Sequence, residues 1–194
     1  MSRFDNRSRV STYTQSWVSN ADPDFGAFES IATTLGTGSS ATISFSSIPA
    51  TYKHLQIRFI ARVTNADTAN NQFLQFNSDT GANYSWHLIE GDGAAATSNG
   101  LANYNYTFAG RVSAATAAAG IMGVGIIDIL DYANTNKYKT IKTLSGQDRN
   151  GGGVARFDSG NWRNTAAITS IQLINSSTTN YTTDSQFALY GIKG

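Results

Sequence analysis

The segment HLQIRFIARV, residues 54–63, sets Leu55, Ile57, Phe59, Ala61 and Val63 on one side of an extended chain. Gln56, Arg58, Ile60 and Arg62 fall on the other. Alternation of this length specifies a half-buried β-strand, because successive side chains of a strand point to opposite faces. A helix would repeat its apolar positions every three to four residues. The same period returns in ATISFSSI (Ile43, Phe45), NYNYTFAG (Tyr104, Tyr106, Phe108), SIQLIN (Ile171, Leu173) and SQFALYGI (Phe187, Leu189). The run IMGVGIIDIL, residues 121–130, is apolar on nearly both faces, as in a central strand covered on both sides. Gly123 and Gly125 share one face of it and leave room for a large neighbour.

Between these segments lie GTGSS, NADTANN, SDTGAN, EGDGAAATSNG, DYANTNK, QDRNGGG and NSSTTN. Asn, Asp and Gly accept the left-handed backbone that tight turns need. GTGSS and RNGGG read as hairpin loops. VSAATAAAG is rich in Ala but lacks an apolar stripe, which favours a loop or a single turn over a helix. Chain ends fray unless something ties them down, so the alternating C-terminal segment is expected to close a sheet. Strands at this spacing suggest a sandwich or a barrel. The expected fold is all-β: an antiparallel β-sandwich, jelly-roll-like, over residues 25–194, preceded by an extended arm over residues 1–24. The arm is polar with isolated apolar residues and ends at NADPD. Arg3, Phe4, Arg7, Arg9, Tyr13 and Trp17 are its candidate partner-binding residues, since large aromatic side chains make good interface anchors. A tail without a role fits the same residues.

Composition limits function. The chain has 194 residues and no cysteine, so disulfides, thiolate nucleophiles and Cys-based zinc sites are excluded. Charged residues make up 14%, well below the ~25% of a typical domain, and the net charge is +1. No global field steers the chain to nucleic acid or membrane, and neither partner is expected. Residues 1–18 lack a continuous apolar core of signal-peptide type, and no run approaches ~18 consecutive apolar residues. A soluble product without an export signal is expected.

Few constellations suggest chemistry. Asp79-Thr80-Gly81 matches the motif around the catalytic Asp of retroviral-type proteases, but FLQFNS before it ends polar, and four turn formers between strands read as a hairpin. His54 and His87 are the only histidines and lie in separate segments, which points to hydrogen-bonded rim residues rather than a metal site. Within residues 25–194, Glu90 with Asp92, and Asp128 with Asp131, are the close acidic pairs available to a hydrolase. Lys137, Lys139 and Lys142 around Tyr138 fit either a nucleic-acid groove or an edge strand whose lysines block pairing. Trp86, Tyr104 and Tyr106 are candidate glycan contacts; core and strand-pair packing is the readier account of any one of them. No catalytic residue, metal ligand or cofactor is expected.

Several segments in one order resemble a group of phage virion proteins of tail and head-decoration type. They are FESIATTLGTGSSATISFSSIPATYKHLQIRFIARV, LQFNSDTGANYSWH, TAAITSIQLIN and the terminal FALYGIKG. The resemblance covers roughly residues 27–194 and leaves the arm outside. It implies a non-enzymatic structural protein of a bacteriophage virion, a capsid cement or decoration subunit or a tail accessory. Such a protein is made in the host cytoplasm, binds other virion proteins and forms homo-oligomers, with a trimer favoured. The alternative is a glycan-recognising module of a tail fibre.

Overall fold

The computed structural model describes residues 27–194. Twelve strands follow one another: β1 (Phe28–Leu35), β2 (Thr42–Phe45), β3 (His54–Ala61), β4 (Ala69–Phe76), β5 (Tyr84–Gly91), β6 (Ala96–Tyr104), β7 (Thr107–Ser113), β8 (Gly123–Leu130), β9 (Lys139–Asp148), β10 (Gly153–Trp162), β11 (Ile171–Asn175) and β12 (Gln186–Ile192). They form two antiparallel sheets in a sandwich, eight strands in the order β1-β12-β3-β8-β9-β10-β5-β6 against four in the order β2-β11-β4-β7. The expected all-β sandwich is therefore observed. The C-terminal segment is tied between β1 and β3, which explains why apolar residues stand so near the chain end.

Most connections carry the chain from one sheet to the other. This corrects two readings of the turns. GTGSS joins β1 to β2, and SDTGAN joins β4 to β5, so each is a corner between layers rather than a hairpin. NYNYTFAG is also not one strand. Its first half ends β6 in the large sheet and its second half opens β7 in the small one. QDRNGGG is the β9–β10 hairpin, as expected.

The core fills with the inward members of each alternating strand. Leu55, Ile57, Phe59 and Ala61 of β3 meet Ile43, Phe45, Leu74, Ile171 and Leu173 of the small sheet, with Phe187 and Leu189 of β12. Gly125 lies opposite Phe59, and a Cβ there would stand 2.4 Å from the Phe59 ring. The large neighbour implied by glycine on this face is that ring. Residues 114–121 form turns rather than a helix because Arg62 captures them. Its guanidinium donates to the carbonyls of Ala115, Ala117, Ala118 and Ile121 at 2.6–3.1 Å.

One expectation fails on β8. Its inner residues Ile127 and Ile129 are buried, but its outer residues are not covered in the single chain. A strand apolar on both faces is thus sandwiched on one side only.

Candidate functional site

The large sheet presents two chemically distinct faces across β8, β9, β10 and β5. On the inner face, Thr143, Ser145 and Gln147 of β9 stand beside Arg156 and Asp158 of β10. Arg156 is 2% and Asp158 1% exposed. Arg156 Nε donates to Asp158 Oδ1 at 2.7 Å and Nη1 to Asn71 Oδ1 at 2.8 Å, with Glu90 Oε2 at 3.4 Å. Its guanidinium lies 4.3 Å from the centre of the Phe108 ring, a cation–π contact. Arg111 completes the network with Nη2 at 3.5 Å from Glu90 Oε1. Burial pushes the Asp158 carboxyl up, the adjacent Arg156 opposes this, and the net direction is upward. A buried charge is tolerable only when paired and hydrogen-bonded, and this network meets that condition for the guanidinium. Glu90 is thereby committed to two arginines and does not pair with Asp92, which caps the next turn by accepting from Ala94 N and Ala95 N.

The outer face is a row of large apolar side chains. Antiparallel register aligns Ile126, Leu144, Phe157 and Ile89 side by side on four adjacent strands. They are 40%, 60%, 40% and 54% exposed. The next row along the strands holds Val124, Gly146, Ala155 and Gly91. Gly146, Ala155 and Gly91, with Val124 beside them and the β5–β6 and β9–β10 turns beyond, line an open trough of about 620 Å³. On the other side the row gives way to polar groups. Gln56 donates to Asp128 Oδ1 at 2.8 Å, and Lys142 pairs with Asp128 Oδ2 at 2.9 Å.

The candidate residues named from sequence do not assemble into a catalytic centre. Asp79 is held by donors: Trp162 Nε1 at 2.7 Å, Asn83 Nδ2 at 2.9 Å and Gly81 N at 2.9 Å. Desolvation raises its carboxyl, but these hydrogen bonds together outweigh it and hold the group below the usual carboxylate range. Asp79 is the clasp of the β4–β5 corner, locking it to β10. Asp131 is bound by Lys137 and by Lys53 at 3.2 Å, both of which lower its carboxyl. His54 Nδ1 accepts from Asp131 N at 2.9 Å, and His87 stands apart on the exposed face of β5. Among the described residues, no group of three or more His, Cys, Asp or Glu side chains is placed to hold a metal ion.

The lysine segment is not an edge. β9 is central, between β8 and β10. Lys139 is buried and donates to the carbonyls of Asn134, Lys137 and Thr165, so burial lowers its pKa while backbone oxygens replace its water. The candidate glycan contacts also divide. Trp86 turns inward at 7% exposure and meets Phe108 edge to face at 4.4 Å, so it offers no face to a sugar. Tyr104 and Tyr106 are half-buried and pack edge to face at 4.6 Å, with Tyr106 stacked on Phe73. Arg3, Phe4, Arg7, Arg9, Tyr13 and Trp17 lie outside the described residues. The apolar row was not recognised in the sequence. Its signal was the two-faced hydrophobicity of residues 121–130, repeated in Leu144 and Phe157.

No protein-family model matches the sequence, and no curated protein matches it. Among solved structures, the chain is similar to the galectin LEC-6 of Caenorhabditis elegans at 11% identity and a TM-score of 0.34, covering 80% of this chain and 94% of that one.

Proposed function

We propose that this chain is a non-enzymatic structural protein of a bacteriophage virion, a capsid cement or decoration subunit or a tail accessory, attached through its first 24 residues. The observation that carries the assembly role is the row Ile126, Leu144, Phe157 and Ile89, an exposed apolar surface built on a rigid sheet. Contiguous apolar surface rimmed by polar groups is a mark of macromolecular contact. The carboxylates that could have served chemistry are engaged in structure: Asp79 by Trp162, Glu90 by Arg111 and Arg156, Asp128 by Lys142. The virion assignment within that role comes from the sequence resemblance. The glycan-binding alternative is weakened by the inward position of Trp86.

Mass spectrometry of purified particles from the phage encoding the chain tests this reading. The chain is expected in stoichiometric amount, with density lost from the particle map when its gene is deleted. Trp17→Ala with Tyr13→Ala should reduce incorporation by roughly tenfold or more, as loss of aromatic anchors does. Absence from intact particles would overturn the proposal.

A further inference from the structure

We infer that the outer face of the eight-stranded sheet is a two-fold interface between two copies of this chain. The argument is the self-complementarity of the face. Two rows run across the strands about 7 Å apart, a two-residue step along each strand. On three of the four strands one row is tall and the other short: Leu144 beside Gly146 on β9, Phe157 beside Ala155 on β10, Ile89 beside Gly91 on β5; on β8 both Ile126 and Val124 are large. A two-fold axis in the plane of the face, midway between the rows, sets the tall row of each copy over the short row of the other. Leu144 then meets Gly146 of the partner subunit, and Phe157 meets Ala155 of the partner subunit. An isologous contact requires one patch that complements itself under such a rotation.

Charge obeys the same operation. Two residues beyond Leu144 stands Lys142, and two beyond Gly146 stands Asp148, both on the outer side of β9. The axis that seats the apolar row brings Lys142 opposite Asp148 of the partner subunit, so opposite signs meet. Lys142 already shares Asp128 within its own chain, which keeps it on this face.

Size agrees. Four strands spaced ~4.8 Å apart and eight residues long present about 19 Å by 25 Å, and with side-chain relief on the order of 600 Å² of accessible surface per copy, the lower end of a standard stable interface. One extended peptide would cover a single strand spacing of this breadth; a second sheet stacked ~10 Å above covers all of it. A three-fold ring, favoured from the sequence resemblance, would need a second, different patch. The other large apolar side chains exposed among the described residues include Ile60 on β3 and Leu130 on β8, which extend this same outer face, and Phe28 and Leu35 on edge strand β1, Leu101 on edge strand β6 and Tyr138 in a loop, which stand away from the row. The two-fold pair does not depend on the virion reading.

Sedimentation velocity of the full chain from nanomolar to hundred-micromolar concentration tests it. A monomer–dimer equilibrium is expected. Leu144→Lys, which places a charge on an exposed position, should weaken association by about a hundredfold while the circular dichroism spectrum stays unchanged. Ala155→Trp fills the short row from the outside and should weaken it comparably. Asp148→Asn, which keeps the acceptor for Asn150 N, should weaken it by about threefold and flatten its salt dependence. A monomer at every concentration overturns the inference, including one whose face its own first residues cover. So does a trimer, or a dimer indifferent to both Leu144→Lys and Ala155→Trp.

Discussion

The two ends of the sandwich interior obey different physics. Where β3, β8 and β12 meet β2, β11 and β4, the inward residues are Leu, Ile and Phe, and stability follows from apolar area removed from water. Where β9, β10 and β5 meet β7, the inward residues include Thr143, Ser145, Gln147, Arg156, Asp158 and Glu90, facing Arg111 and Ser113, with Trp86 against Phe108 among them. The apolar end tolerates substitutions that keep volume. The polar end fixes partners one by one, because each buried donor or charge left alone costs more than the bond contributed. The contrast also explains the outer face. On β10 the alternation is inverted: Arg156 and Asp158 go in, and Phe157 goes out.

Four substitutions sharpen or break this contrast. At the apolar end, Phe187→Ala removes a ring that meets both Phe59 and Tyr181 and should cost about 4 kcal/mol in urea unfolding. At the polar end, Arg156→Met strands Asp158 and should cost about 3 kcal/mol, whereas Arg156→Met with Asp158→Leu should recover most of the loss. Equal costs for the single and double variants would show that the pair does not act as a unit. Gly125→Val drives a side chain into Phe59 and should cost about 2 kcal/mol through overpacking.

The smallest effect concerns the corner between the two ends. Asp79→Asn weakens the acceptor for Trp162 Nε1 and should cost about 1 kcal/mol at neutral pH. Since folding lowers the Asp79 pKa, its contribution is complete above the unfolded value near ~3.9 and disappears as pH falls through the folded value. The stability difference between wild type and Asp79→Asn should therefore shrink on acidification below about pH 4, followed by urea unfolding across pH.

Much of the apolar end was legible in the sequence. HLQIRFIARV, SIQLIN and SQFALYGI declare both their strand character and their inward faces, because one face of each is much more apolar than the other. The glycine pair in β8 announced a bulky neighbour, and Phe59 is there. The polar end was not legible. GVARFDSGNW alternates Phe157 against Arg156 and Asp158, and alternation alone cannot say that the charged face is the buried one. That outcome depends on Asn71, Glu90 and Phe108, which come from other strands. The same holds for Lys139, whose partners Asn134, Lys137 and Thr165 come from two separate loops. NYNYTFAG failed for a further reason: its period continues through a chain reversal that changes sheets at Asn105 and Tyr106.

The chain has no cysteine, so thiol labelling of single-cysteine variants tests the two-layer arrangement directly. Gln186→Cys, exposed on the outer side of β12, should react at the rate of an exposed thiol, and the half-buried Gln172→Cys on the outer side of β11 should react without unfolding. Leu173→Cys and Leu189→Cys, on the inner sides, should react only as fast as the protein unfolds. Equal labelling of inner and outer positions under native conditions would contradict the sandwich.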